Sequence, residues 1–247
     1  MCSLVVAWRV LRDAPVAVAA NRDERYDRSA SPPRRIAGDP AIVAPRDDAA
    51  GGTWLGYNDR GLLVGLSNRW TADELPADRS RGRLVLDLLG AESADVAASM
   101  VEAAVEAVAY APFNLVVADA ATALVLEWDG KLGVSELSPG VHVVVNAGWD
   151  SSFAAIEDHE DDVVEQVERA RRLRERLAVV GDEPAEDWLD RAATVLGDHE
   201  VGACVHGDGF GTRSASLLAL AADGTASYRF ADGPPCTTAF AAVDEQI

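Results

Sequence analysis

The sequence is nearly without lysine and sparse in cysteine and histidine: it has one lysine, Lys131, three cysteines and four histidines. Cys2, Cys204 and Cys236 are too few, and odd in number, for a disulfide framework. There is no Cys-x-x-Cys pair, and His142, His159, His199 and His206 are scattered along the chain. A built-in zinc site is therefore not expected, and no motif calls for another cofactor. No apolar run approaches the ~20 residues that cross a bilayer. The start, Met-Cys-Ser-Leu-Val-Val-Ala-Trp, has no basic leader and no small-residue cleavage site after its apolar stretch. It does not read as a signal peptide, so the expected compartment is the cytoplasm, without membrane insertion.

What is present is acid. The 22 basic and 41 acidic residues give a formal charge of -19. Such a surface repels nucleic acid and anionic membranes but says nothing direct about a substrate; the expected partner is a small-molecule substrate or ligand. The acidic, lysine-poor, alanine- and valine-rich composition is similar to that of proteins from salt-loving microbes. Apolar residues make up 49% of the 247 positions, enough for a substantial core.

Apolar runs at Cys2–Trp8 and Pro15–Ala20 read as a two-stranded hairpin. That hairpin would bring residue 2 beside Asn21-Arg22-Asp23-Glu24. The proline-bearing stretch Arg25–Pro40 reads as a loop. Strands are expected at Ile42–Ala44 and Leu62–Leu66, the second ending at Ser67-Asn68. Apolar residues at three- to four-residue spacing predict helices over Arg81–Leu89 and Ala94–Tyr110. Strands follow at Phe113–Ala118, Ala123–Trp128, Leu132–Leu137 and Val141–Val145, the last ending at Asn146. Helices are expected over Asp161–Val180 and Pro184–Leu196. Strands at Val201–His206, Ser214–Ala221 and Ala226–Phe230 close the chain. The order of strands, helices, strands, helices, strands suits α+β layering better than a βαβ repeat. With no linker or repeat, residues 1–247 read as one domain.

Cys2 stands out chemically. Removal of Met1 would give one residue both a thiol and a free α-amine, whose ordinary pKa is about 7.7–8.0. That amine can act as base for its own side chain, so no histidine is needed. Near it, an Asp can orient the amine and an Arg favours the thiolate. Asn68 and Asn146 end apolar strands, where a side-chain amide can donate to an oxyanion. Each feature taken alone has a plainer structural reading: a small buried residue, a solvated turn, a strand-end asparagine. Gly207-Asp208-Gly209-Phe210-Gly211-Thr212-Arg213-Ser214 is no phosphate loop, because it lacks Gly-Lys-Ser/Thr and a strand follows it. It reads as a tight approach that aims Arg213 inward.

Five ordered motifs, Met1-Cys2, Ala20-Asn21-Arg22-Asp23-Glu24, Gly51-Gly52-Thr53-Trp54-Leu55-Gly56, Leu66-Ser67-Asn68-Arg69 and Gly211-Thr212-Arg213-Ser214, resemble the NRDE family. That family also holds the eukaryotic transport and Golgi organisation 2 proteins. A more distant resemblance is to the choloylglycine hydrolase and penicillin acylase group of N-terminal cysteine hydrolases. Asn21-Arg22-Asp23 is similar to its Asn-x-Asp motif. Gly56-Tyr57-Asn58-Asp59-Arg60-Gly61-Leu62 leads to Asn68 at the group's interval, and Val143-Val144-Val145-Asn146 is similar to its later strand end.

The resemblance implies a four-layer αββα N-terminal-nucleophile hydrolase fold, with two stacked, mainly antiparallel sheets flanked by helices. It implies an amidohydrolase acting on non-peptide C–N bonds through a thioester at Cys2. Asp23 would hold the α-amine, and Asn68 and Asn146 would shape the oxyanion site. Asn21, Arg22, Glu24, Trp54, Arg69 and Arg213 would bind substrate or support the site. The NRDE relatives imply an alternative, a non-catalytic protein that binds or carries a lipid, an acyl thioester or haem. One position departs from the hydrolase pattern: Ala20 stands where the group has arginine, and Arg22 follows two places later. Either a bulge re-aims Arg22 or Arg213 substitutes.

Overall fold

A computed structural model describes residues 2–72, 74–150, 152–153 and 160–247. Met1 and His159 fall outside the described residues. The first sheet carries β1 (Ser3–Trp8), β2 (Val16–Arg25), β10 (Gly140–Val145), β11 (Gly148–Trp149), β12 (Ser152–Phe153), β13 (Phe210–Leu220), β14 (Ala226–Ala231) and β15 (Ala241–Ala242). Their order is β12-β11-β10-β1-β2-β13-β14-β15, with every pairing antiparallel. The second sheet runs in chain order: β3 (Ala30–Ile36), β4 (Ile42–Asp47), β5 (Leu55–Asn58), β6 (Leu63–Asn68), β7 (Phe113–Ala118), β8 (Ala123–Trp128) and β9 (Leu132–Glu136). It too is antiparallel throughout.

The side-chain alternation of β1 explains the layering. Val5 and Ala7 face one way, into a core shared with α3 (Glu160–Arg176) and α4 (Ala185–Gly197). Leu4, Val6 and Trp8 face the other way, into a core shared with Leu55, Tyr57 and Leu63 of the second sheet. The far face of that sheet packs on α1 (Arg81–Leu88) and α2 (Ala94–Ala107) through residues such as Leu62, Val64, Leu88 and Val101. A strand buried on both faces reads as a near-continuous apolar run, and Leu4–Trp8 is apolar and buried throughout, with the polar Ser3 buried at its head. The result is the four-layer αββα stack. Among the described residues, no helix is long and apolar enough to cross a membrane.

Three sequence expectations change. Ala30–Ile36 is a strand, not loop, despite Pro32 and Pro33. It lies at a sheet edge, and its register against β4 shifts between Ser31 and Arg34, so the prolines need not donate to a ladder. Val201–His206 is not a strand; only His206 makes an isolated bridge, to Gly211. Some backbone groups of this segment turn to side chains: Asn21 Nδ2 donates to the Ala203 carbonyl, and Val205 N–H donates to Thr212 Oγ1, while the Val205 carbonyl accepts from Thr212 N–H. The tetrad Asn21–Glu24 also lies within β2 rather than after it.

Candidate active site

Register places the nucleophile candidate. Ser3 pairs with Asn21 on one side and with Val145 on the other. One step outward, residue 2 stands between residues 22 and 146. The Cys2 backbone nitrogen donates to Asn146 Oδ1 at 2.8 Å. Asn146 Nδ2 donates in turn to the Asn68 carbonyl of the second sheet at 2.8 Å, and the Asn146 carbonyl accepts from Trp70 N–H at 2.9 Å. Asn146 is therefore a buried tie between the two sheets and residue 2.

The period-two rule resolves the arginine question. Ala20 and Arg22 are two apart and share the face that looks between the sheets. Ala20 packs there with Leu4, and the Arg22 guanidinium lies 4.3 Å from the centre of the Trp54 ring. No bulge in β2 is needed. The bulge is on β13, between Thr212 and Ser214, and it sets Arg213 aside. Arg213 lies against the Tyr26 ring at 5.8 Å and is absent from the cavity wall, so the expectation that it points inward is corrected. Arg69 is also away from the cavity. It is held by Glu127 at 2.7 Å and Asn114 at 2.9 Å. Asn21, on the opposite face from Arg22, donates to the carbonyls of Leu196 and Ala203 and fixes the end of α4.

A cavity of about 440 Å³ opens at this end of the inter-sheet space. Cys2, Arg22, Asp23, Glu24, Trp54 and Asn68 line it, as the sequence suggested. Arg28, Asp47, Asp78, Arg79 and Arg81 line it too, and were not foreseen. Arg28 forms a two-pronged contact with Asp47, at 3.0 and 2.6 Å. Arg81 opens α1 and donates to the Pro112 carbonyl at 2.6 Å. The run Arg79-Ser80-Arg81-Gly82 at the start of a helix was the available signal. The glycine-rich motif has a packing reason here: Thr53 N–H donates to the Gly82 carbonyl at 2.9 Å, so the two walls touch through backbone.

The charges are arranged around a half-buried thiol. Burial pushes the Cys2 thiol up, and the Asp23 charge adds to that, whereas Arg22 pulls it down. Cys2 Sγ lies 3.8 Å from the Asp23 carbonyl oxygen. Burial also holds the Asp23 carboxyl above the usual range, against the hydrogen bond from Thr212 Oγ1 at 2.6 Å. Burial draws both the Arg22 and Arg81 guanidinium groups below the ordinary arginine range.

Two of the four histidines scattered along the sequence meet elsewhere in the molecule, where no metal-type cluster was expected. The His199 and His206 rings meet edge to face at 5.2 Å, beside Cys204 and Cys236. The segment after α4 folds back on itself, and the chain returns past it after β14.

A family model described as Transport and Golgi organisation 2 matches residues 1–229. The chain belongs to the Transport and Golgi organisation 2 family. The bovine homolog of transport and Golgi organization protein 2 is 29% identical over 233 residues, covering 85% of this chain and 84% of the relative. The human homolog is 27% identical over 232 residues, with the same coverage. Solved structures share the fold of this family member. A mutant conjugated bile acid hydrolase from Clostridium perfringens superposes with a TM-score of 0.59 at 13% identity, over 99% of this chain and 92% of that one. Penicillin V acylase from Agrobacterium tumefaciens gives 0.57 at 13%, over 94% and 83%. The Caenorhabditis elegans ortholog of N-acylethanolamine-hydrolyzing acid amidase gives 0.57 at 12%, over 88% and 92%. The NRDE resemblance and the N-terminal-nucleophile hydrolase-like fold are thus borne out.

Proposed function

We propose that this protein is an N-terminal cysteine amidohydrolase that cleaves a linear, non-peptide amide through a thioester at Cys2. The observation that carries the reading is the placement of residue 2. Its backbone nitrogen is held by Asn146 while the residue lines a cavity walled by Arg22, Asp23 and Asn68. Loss of Met1 would turn that nitrogen into an α-amine within reach of its own thiol.

The chemistry then runs on this chain's groups. The α-amine takes the thiol proton, and sulfur attacks the amide carbonyl carbon. Arg22 and Arg81 favour the thiolate, since both guanidinium groups act on Cys2 through charge. The Asn68 side chain, at the cavity wall, is the donor for the oxyanion. Asn146 positions the nitrogen of residue 2 rather than lining the cavity. The C–N bond breaks, and the amine leaves with the proton held by the α-ammonium group. Water, deprotonated by the α-amine, cleaves the thioester and releases a carboxylic acid. The names of the fold relatives, a bile acid conjugate hydrolase, an acylase and an N-acylethanolamine amidase, support an acyl amide as the substrate class.

A second reading has its own observation. Arg22, Arg28, Arg79 and Arg81 line one cavity together with Asp23, Glu24, Asp47 and Asp78. Arg28 and Arg79 are paired with Asp47 and Asp87, so Arg22 and Arg81 are the two guanidinium groups that suit the anionic head of an acyl thioester or lipid held without turnover. Mass spectrometry separates the two. Protein lacking Met1, incubated with a panel of acyl amides and quenched in acid, should carry an acyl adduct on Cys2, and Cys2→Ala should lose both adduct and turnover. Retention of Met1 on purified protein, or saturable ligand binding with no adduct on any substrate, would remove the hydrolase reading.

A further inference from the structure

Four side chains outside the cavity form a second constellation. Cys204 Sγ lies 3.5 Å from Cys236 Sγ and 3.6 Å from His206 Nε2, and His206 Nε2 lies 3.2 Å from Cys236 Sγ. With His199 added, one donor atom from each of the four residues falls within 4.8 Å of the others. Zinc–sulfur and zinc–nitrogen bonds of about 2.3 and 2.0 Å at tetrahedral angles put the donor atoms roughly 3.3–3.8 Å apart. The three measured edges lie close to that span.

We propose that His199, Cys204, His206 and Cys236 form a four-ligand site for a soft divalent transition ion, with zinc as the ion the donors fit best. Two thiolates and two imidazoles are a zinc set; calcium and magnesium take oxygen ligands, and none of the four residues supplies one. Binding would displace one proton from each thiol and leave a site of no net charge, with no change of oxidation state. Four protein ligands leave no open position, so the ion would be structural. The burial gradient agrees with this: Cys204 is buried, Cys236 is half-buried, and the two histidines close the site from the solvent side.

The site has a mechanical consequence. Residues 199–206 follow α4 without forming a strand, and Cys236 belongs to the chain after β14. The ion would clip these two segments together. Between its ligands, Ala203 accepts from Asn21 and Val205 donates to Thr212, which donates to Asp23. The clip would thus brace the end of β2 that carries the tetrad. This inference does not depend on the hydrolase reading.

The test uses tag-free, full-length protein stripped with a chelator under reducing conditions and titrated with cobalt(II). One equivalent should produce tetrahedral ligand-field bands and a thiolate charge-transfer band, both abolished by stoichiometric zinc. Cys204→Ser and Cys236→Ser should each cut the charge-transfer band to about half or less and weaken binding at least tenfold, the double variant should lose the band, and His206→Ala should weaken binding at least tenfold. Cys2→Ser should retain every band. Zinc should raise the thermal midpoint of the wild type and leave that of Cys236→Ser, at a half-buried loop position, unchanged. An octahedral cobalt spectrum, a charge-transfer band of undiminished intensity in Cys236→Ser, or a Cys204–Cys236 disulfide that forms equally with and without zinc would overturn the proposal.

Discussion

Asn146 Oδ1 accepts a hydrogen bond from the backbone nitrogen of Cys2 at 2.8 Å, across 144 positions of sequence. The contact follows from the antiparallel register of β1 and β10, which ends with Ser3 opposite Val145. Asn146 also spans the sheets through its bond to the Asn68 carbonyl. Asn146→Ala should therefore cost about 1–3 kcal/mol of stability, because it removes two partly buried hydrogen bonds, each worth about 0.5–1.5 kcal/mol. It should also slow labelling of Cys2 by a thiol-directed probe, since residue 2 loses its anchor. Denaturant unfolding and peptide-mapped labelling check the two effects. An unchanged unfolding midpoint would show that the tie carries no weight.

Arg22 and Arg213 make opposite predictions. Arg22 shares the cavity with Cys2 and pulls the thiol pKa down against burial. Removing it, as in Arg22→Met, should push the thiol higher still and leave less thiolate at neutral pH. Alkylation of Cys2 should slow about three- to tenfold near neutrality, with the rates converging as pH rises above the thiol pKa. Arg213→Met should leave the profile unchanged, because the β13 bulge turns that residue to Tyr26. The pH dependence of the alkylation rate decides, and a slower rate in Arg213→Met alone would reverse the assignment.

Much of this arrangement was readable before the fold was seen. A strand starting at residue 2 and a hairpin to residue 21 fix Cys2 beside the tetrad by register alone. The apolar run that stops at Asn146 gives the other flank. What escaped the sequence depends on tertiary detail. Arg28, Arg79 and Arg81 sit in polar stretches that look solvated until Gly52 and Gly82 bring two segments into contact. Ala30–Ile36 is masked by its prolines, which only an edge strand tolerates. Val201–His206 has the composition of a strand, but its backbone bonds go to Asn21 and Thr212. The pairing of His206 with Cys236 joins residues 30 apart, with no short motif to announce it.

The glycine pair at the cavity wall is a test of shape rather than charge. A Cβ on Gly52 would run into the backbone of Gly82, both its carbonyl carbon and its oxygen. Neither is the end of a flexible side chain, so the wall itself would have to move. Gly52→Ala should cost about 1–3 kcal/mol through overpacking. It should also shift α1, which begins at Arg81, and so disturb the Arg81 contact with the Pro112 carbonyl. Gly61→Ala is a useful control, because a Cβ there meets nothing within 4 Å, although its φ of +77° carries its own backbone strain. Unfolding of the two variants side by side separates the effects: equal losses would mean that Gly52 is felt through backbone freedom and not through the wall.

On the proposed chemistry, Asp23 would set stability against function. Its carboxyl is buried, and burial holds its pKa above the unfolded value of about 3.9 despite the bond from Thr212. A raised folded pKa means that the folded state holds the proton more tightly than the unfolded chain does. The contribution to stability is then complete below the unfolded pKa and is lost as pH rises through the folded one. Asp23→Asn keeps an oxygen for Thr212 Oγ1 and removes the desolvated charge. The variant should match the wild type in acid and exceed it in thermal midpoint at neutral pH. In the same protein, acylation of Cys2 should fall sharply, because the carboxylate that would orient the α-amine is gone. Thermal scans across a pH series, paired with adduct formation at each pH, measure both. A wild type that gains on Asp23→Asn as pH rises would mean that the carboxylate is net stabilising, and that its burial is fully compensated by its partners.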